Sequence, residues 1–214
     1  MNVSYRMTRN PFTVKKTTSV SEAREILKKE KIHHLPVVDE KGRLVGIVTE
    51  KDILSASPSK ATTLDVWEIS SLLYKLTVAD VMTSDVISCP PDTPVEHAAR
   101  MLSDNNIGGL PVVEKGILVG IITESDLWEI FIELFDSRDK GLRLTALMPH
   151  VKGELANFAG AIRDAGGDIL AFGTVLGDDP TNRLGIVKVS GISREELIKA
   201  VTPYVLEIRD LREM

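Results

Sequence analysis

LPVVDEKGRLVGIVTEKD, residues 35–52, runs a β-branched strand through a lysine–glycine turn into a second strand. That second strand ends on Thr49 and is followed three residues later by Asp52. LPVVEKGILVGIITESD, residues 110–126, repeats the arrangement. The offset is 75 at Leu35 and Leu110, and 74 from Gly46 and Gly120 onward, one residue being lost in the turn. Apolar β-branched runs on either side of Lys-Gly read as a hairpin, and a self-match of this length with one gap marks an internal repeat.

The match extends upstream, pairing Met7 with Met82, Val20 with Val95, Ala23 with Ala98 and Leu27 with Leu102. The apolar triplets keep helical spacing. Ser19-x-x-Glu22 and Thr93-Pro94-x-Glu96 read as helix starts. Short strands are expected at 12–14 and 86–89, and a closing helix after each Thr-x-x-Asp. Each unit is therefore β-α-β-β-α, and a sheet covered by two helices needs a partner to finish its core. The expected fold is α/β (α+β), with two such repeats packed as a pseudo-twofold pair. Repeat one takes residues 1–56 and repeat two 78–136, joined by a partly helical linker, 57–77. In that linker Val66, Ile69, Leu72, Leu73 and Leu76 recur at helical spacing beside Trp67.

From residue 137 the pattern changes. LRLTALMP reads as a strand, Leu155, Phe158, Ala159 and Ile162 as a helical stripe stopped by Gly166-Gly167, and 168–191 as a hairpin turned at DDPTN. A capping box at Ser193 and Glu196 opens another helix, and YVLEIRDL closes as a strand. The order βαββαβ is the ferredoxin-like split βαβ arrangement.

The 214 residues suit two domains. A net charge of -5 argues against a nucleic-acid binder, which shows a basic face. One cysteine, Cys89, excludes an internal disulfide framework and a multi-cysteine zinc site. No apolar run reaches the ~20 residues that span a bilayer, and the first residues lack a signal-peptide core. A cytoplasmic, soluble protein with no membrane contact is the expectation.

The doubled LPVV…G-(I)-V/I-T-x-x-D resembles a pair of cystathionine-β-synthase (CBS) domains. The tail, with a glycine at a loop-to-helix entry in HVKGELANF, resembles an ACT domain. The combination resembles the acetoin-utilisation accessory protein family. That resemblance implies a regulatory module sensing adenosine-containing ligands such as AMP, ADP or ATP, commonly as a homodimer, acting on an unknown protein target, with no required cofactor and no catalysis.

Thr49-x-x-Asp52 and Thr123-x-x-Asp126 read from the residues alone either as helix caps or as ligand clamps, and the two are compatible, since a helix N-terminus can hold an anion. As a clamp, threonine would donate to a phosphate oxygen, while aspartate would accept from ribose hydroxyls, as acids do in dinucleotide folds; similar CBS pairs use the matching residues so. The resemblance implies phosphate contacts for polar residues before the LPV strand, here His33 and His34, against Gly108 and Gly109 in the second copy. Lys51 is likewise replaced by Ser125. Unequal sites follow, with phosphate-rich ligands depending on His33, His34 and Lys51. The base is expected against Phe12 and Ile87, and Ile32, Ile107 and Gly108 complete the candidate set. In the tail, His150, Gly153 and Asp168 occupy the positions of an ACT amino-acid site, of which only the glycine keeps the family's residue. No metal site is expected, because adjacent histidines lack ligand spacing.

Two other readings stand beside the sensor. One is an oligomerisation scaffold with vacant clefts. The other is a nucleotide-processing enzyme using Asp52 and Asp126 as an acid–base pair, although no P-loop, G-x-S-x-G or H-E-x-x-H occurs.

Overall fold

The computed structural model describes residues 1–56, 76–135 and 139–214. The linker helix expected at 57–77 lies almost wholly outside the described residues. The chain forms two compact units, Met1–Leu127 and Trp128–Met214.

In the first unit, α1 (Val20–Glu30) starts where Ser19 Oγ accepts the Glu22 N–H at 3.1 Å. It buries Val20, Ala23 and Leu27 and ends on Lys31 in the left-handed region. The helix of the second copy, which we number α4 (Val95–Asp104), is N-capped by Pro94 without a side-chain bond. Thr93 is buried, so the capping role expected of it is not taken up.

Hairpin β2 (His34–Val38) and β3 (Leu44–Thr49) forms one antiparallel sheet, and β4 (Gly109–Glu114) with β5 (Ile117–Thr123) forms its counterpart. Each leads into a helix, α2 (Glu50–Ala56) and α5 (Glu124–Leu134). The strands expected at 12–14 and 86–89 reduce to single parallel bridges, Val14 to Val37 and Cys89 to Val112.

The two copies exchange their leading segments. β1 (Thr8–Arg9) pairs with Ile121 and Gly120 of the second copy, and Thr83 bridges to Ile47 of the first. Val3 and Met7 are buried with Leu102, Leu110 and Ile122, whereas Val78, from the short helix α3 (Val78–Val81), is buried with Leu27, Leu35 and Val48. The glycines matched in sequence make this possible. A Cβ on Gly120 would stand 2.5 Å from Met7 Sδ, and one on Gly46 2.5 Å from Met82 Sδ.

The second unit runs β6 (Leu142–Pro149), α6 (Glu154–Asp164), β7 (Asp168–Leu176), β8 (Asn182–Ser190), α7 (Arg194–Val201) and β9 (Glu207–Glu213). Its antiparallel sheet has the order β7-β8-β6-β9. Phe158 and Ile162 of α6 and Leu197 and Val201 of α7 pack on Leu144, Met148, Val187 and Val189. This is the split βαβ topology. Among the described residues no helix is long and apolar enough to cross a membrane.

Candidate functional site

Each Thr-x-x-Asp closes on itself. Asp52 Oδ2 accepts from Thr49 N–H at 2.8 Å and from its hydroxyl at 2.7 Å. Asp126 Oδ2 accepts from Thr123 N–H at 2.7 Å and from its hydroxyl at 2.8 Å. A hydroxyl has a single proton, and here it goes to the carboxylate. In this arrangement each threonine hydroxyl is committed to the acid three residues on. The second carboxylate oxygen of each aspartate has no hydrogen-bond partner among the described residues and can accept from another group.

The two aspartates line different cavities. Asp52 belongs to a cleft of about 550 Å³ with Thr49, Lys51, Ile87, Ile107 and the His33–His34 pair. Asp126 belongs to one of about 420 Å³ with Thr123, Ser125, Phe12, Lys31, Ile32 and the same histidines, and Gly108 lines both. The clefts are composite: the acid of one copy faces the leading segment of the other, Asp52 with Ile87 and Asp126 with Phe12. That crossing follows from the exchange of segments. It also separates the carboxylates of the acid–base reading into two cavities. Phe12 and Ile87 are 53% and 37% exposed, so both serve the cleft mouths rather than the core. Both volumes fall within the ~300–1,000 Å³ range of small-molecule pockets.

The sequence difference His33-His34 against Gly108-Gly109 has a packing cause. A Cβ on Gly109 would come within 2.8 Å of His34 Cδ2, and one on Gly108 within 3.3 Å of His34 Nε2. His34 and Gly109 occupy matching positions in the two copies, so a side chain at both would contest one space. The His34 ring fills it alone, between the clefts. Burial, and then the neighbouring His33, hold its imidazole below the usual histidine range, with Glu124 and Asp52 pulling the other way. His33 Nδ1 lies 2.8 Å from Glu50 Oε2. Among the described residues, no group of three or more histidine, cysteine, aspartate or glutamate side chains is placed to hold a metal ion.

In the second unit, His150 and Gly153 line a cavity of about 540 Å³ with Thr174 and Arg183. Asp168 is not part of it. It begins β7 opposite Ser190, whereas Thr174 and Leu176 lie toward the other end of that strand. Six residues separate it from Thr174, about 20 Å at strand rise. Arg183 went unnoticed in the sequence because only the hairpin register, with Met148 opposite Arg183, brings it to this end.

Comparison with known proteins agrees with the first unit. The chain is 38% identical over 126 residues to L-aspartate semialdehyde sulfurtransferase of Methanocaldococcus jannaschii, which covers 58% of this chain but only 22% of that enzyme. Among solved structures, a Vibrio cholerae protein given the name AcuB, for acetoin utilization, is 36% identical with a TM-score of 0.54, over 64% of this chain and 95% of its own. The CBS domain pair of protein MJ0100, in complex with 5′-methylthioadenosine and S-adenosyl-L-methionine, is 37% identical over 61% of this chain and 99% of its own, with a TM-score of 0.51. CBSX2 of Arabidopsis thaliana, in complex with AMP, is 32% identical over 61% of this chain and 96% of its own, with a TM-score of 0.53. The CBS-domain family profile itself matches residues 3–59 and 78–127, half of the chain, in the two copies that form the clefts, and the protein belongs to that family.

Proposed function

We propose that this CBS pair is a regulatory sensor for adenosine-containing nucleotides, AMP, ADP or ATP, held in the two composite clefts. The observation that carries the reading is the half-committed aspartate. One oxygen is fixed by threonine, and the other is open beside an apolar wall, Ile87 and Ile107 in one cleft and Phe12 and Ile32 in the other. An ionised carboxylate is acceptor-only, so the free oxygen suits ribose hydroxyls and repels phosphate. The apolar walls suit a base. The AMP, methylthioadenosine and S-adenosylmethionine complexes of the similar pairs support the same ligand class.

Occupancy acts through a change in the angle between the copies or between protomers of a homodimer, provided the ligand prefers one arrangement. Trp128 and Phe131, stacked edge to face at 6.4 Å and more than half exposed, supply apolar surface for association. The tail is an ACT-type unit that contacts the regulated partner, and His150, Gly153 and Arg183 are its candidate small-molecule residues.

The test is calorimetry of the full chain with AMP, ADP, ATP and S-adenosylmethionine, repeated on Asp52→Asn and Asp126→Asn. Asparagine keeps an acceptor for the threonine but turns a donor toward the ribose. Each variant is expected to weaken its own cleft by roughly ten- to a hundred-fold, the loss of a hydrogen bond to a charged acceptor. Unchanged affinity in both variants would refute the clamp.

A further inference from the structure

Behind the second cleft lies a third cavity, of about 400 Å³, between α1 and α2. It carries Arg24, Lys28 and Lys31, and it shares Lys31, Ile32 and His33 with the Asp126 cleft. Positions 24, 28 and 31 fall on one face of α1 and its end, a cationic run about 10 Å long at helical rise. None of the three side chains has an ion-pair partner among the described residues.

The fold does not ask for these charges. Their counterparts in the second copy are Ala99, Ser103 and Asn106, and Asn106 adopts the same left-handed backbone as Lys31, with φ of 51° against 54°. Cations in a last turn can offset the helix dipole, yet α4 ends with none there. The run also favours one cleft over the other. The third cavity, itself lined by Glu50 with His33 Nδ1 2.8 Å from its Oε2, reaches the Asp52 cleft only at His33 and Glu50. Each cleft carries the glutamate that follows its threonine, Glu50 or Glu124, so the carboxylates do not set the clefts apart. The third cavity reaches the Asp126 cleft at Lys31.

We propose that the Asp126 cleft takes a nucleoside polyphosphate, whose phosphate chain leaves the ribose at Asp126, passes Lys31 and runs along Lys28 and Arg24. The Asp52 cleft, with Lys51 at its lip and uncharged residues where the run would be, takes a nucleoside with one phosphate or none. This assignment rests on the ligand class proposed above and divides it between the clefts.

The second copy supplies a test that preserves the fold. In the full chain, Arg24→Ala, Lys28→Ser and Lys31→Asn together install residues already accommodated at the matching positions. Calorimetry with AMP and ATP is expected to show ATP bound at least tenfold tighter than AMP at the site weakened by Asp126→Asn. The triple variant should bring that ratio near one and flatten the salt dependence of ATP binding. The reverse exchange, Ala99→Arg, Ser103→Lys and Asn106→Lys, should raise the ratio at the site weakened by Asp52→Asn. AMP binding with an ATP-to-AMP ratio untouched by the triple variant overturns this assignment and leaves the sensor reading standing. No binding of either nucleotide by the unmodified chain overturns both.

Discussion

His34 is the residue at which the two copies meet, and its environment makes a titration prediction. The unfolded chain takes up a proton near 6.5, but the half-buried ring takes it up only at a lower pH. Stability is therefore undiminished above that value and falls as pH drops from 6.5 through the folded pKa, because the unfolded state binds the proton first. His34→Gln should flatten the melting-temperature profile between about pH 7 and 5. An unchanged slope would show that other groups govern this range. At this scale the sequence was half legible. Thr49, Asp52 and their echoes were visible as a doubled pattern. That the threonine proton is spent on the acid, and that His34 faces a glycine for lack of room, depend on distances across space. Nothing in the sequence sets Arg24, Lys28 and Lys31 apart, because solvated helix cations look alike and only the cavity beneath them distinguishes this run.

Elements were more readable than their pairings. Hydrophobic periodicity records which face of an element is buried and is silent about which sheet covers it. Hence α1, α4 and both hairpins match expectation, while the leading strands shrink to single bridges within their own copies. The segments ahead of them, β1 and residues 78–83, cross to the opposite copy. The entry to α6 shows a local rule that did survive. Gly153 stands at φ 86°, with nothing within 4 Å of a Cβ placed on it. Its requirement is conformational, not steric contact. Gly153→Ala should cost about 1–2 kcal/mol, read as a lower denaturation midpoint of the second unit. No loss would mean that the entry relaxes to another backbone conformation.

For the molecule as a whole, the exchange ties each copy to a segment distant in the chain. Met7 is buried over Gly120 in the core of the second copy, so Met7→Ala should cost about 2–5 kcal/mol. Hydrogen exchange locates the damage. Amides of β4 and β5 should lose protection first, although Met7 lies nearer in sequence to β2 and β3, and those of β6–β9 should keep theirs. Faster exchange confined to β2 and β3 would contradict the crossed packing.

The same crossing sets a timetable on the ribosome. Thr8 pairs with Ile121, and at ~5–20 residues per second the partner strand emerges about 6–23 s after the arm. Until then the core that buries Val3 and Met7 lacks its last strand and Ile122. A nascent chain stalled between the copies would carry an unclaimed apolar arm, open to chaperones or to the arm-binding surface of a neighbouring, more complete chain.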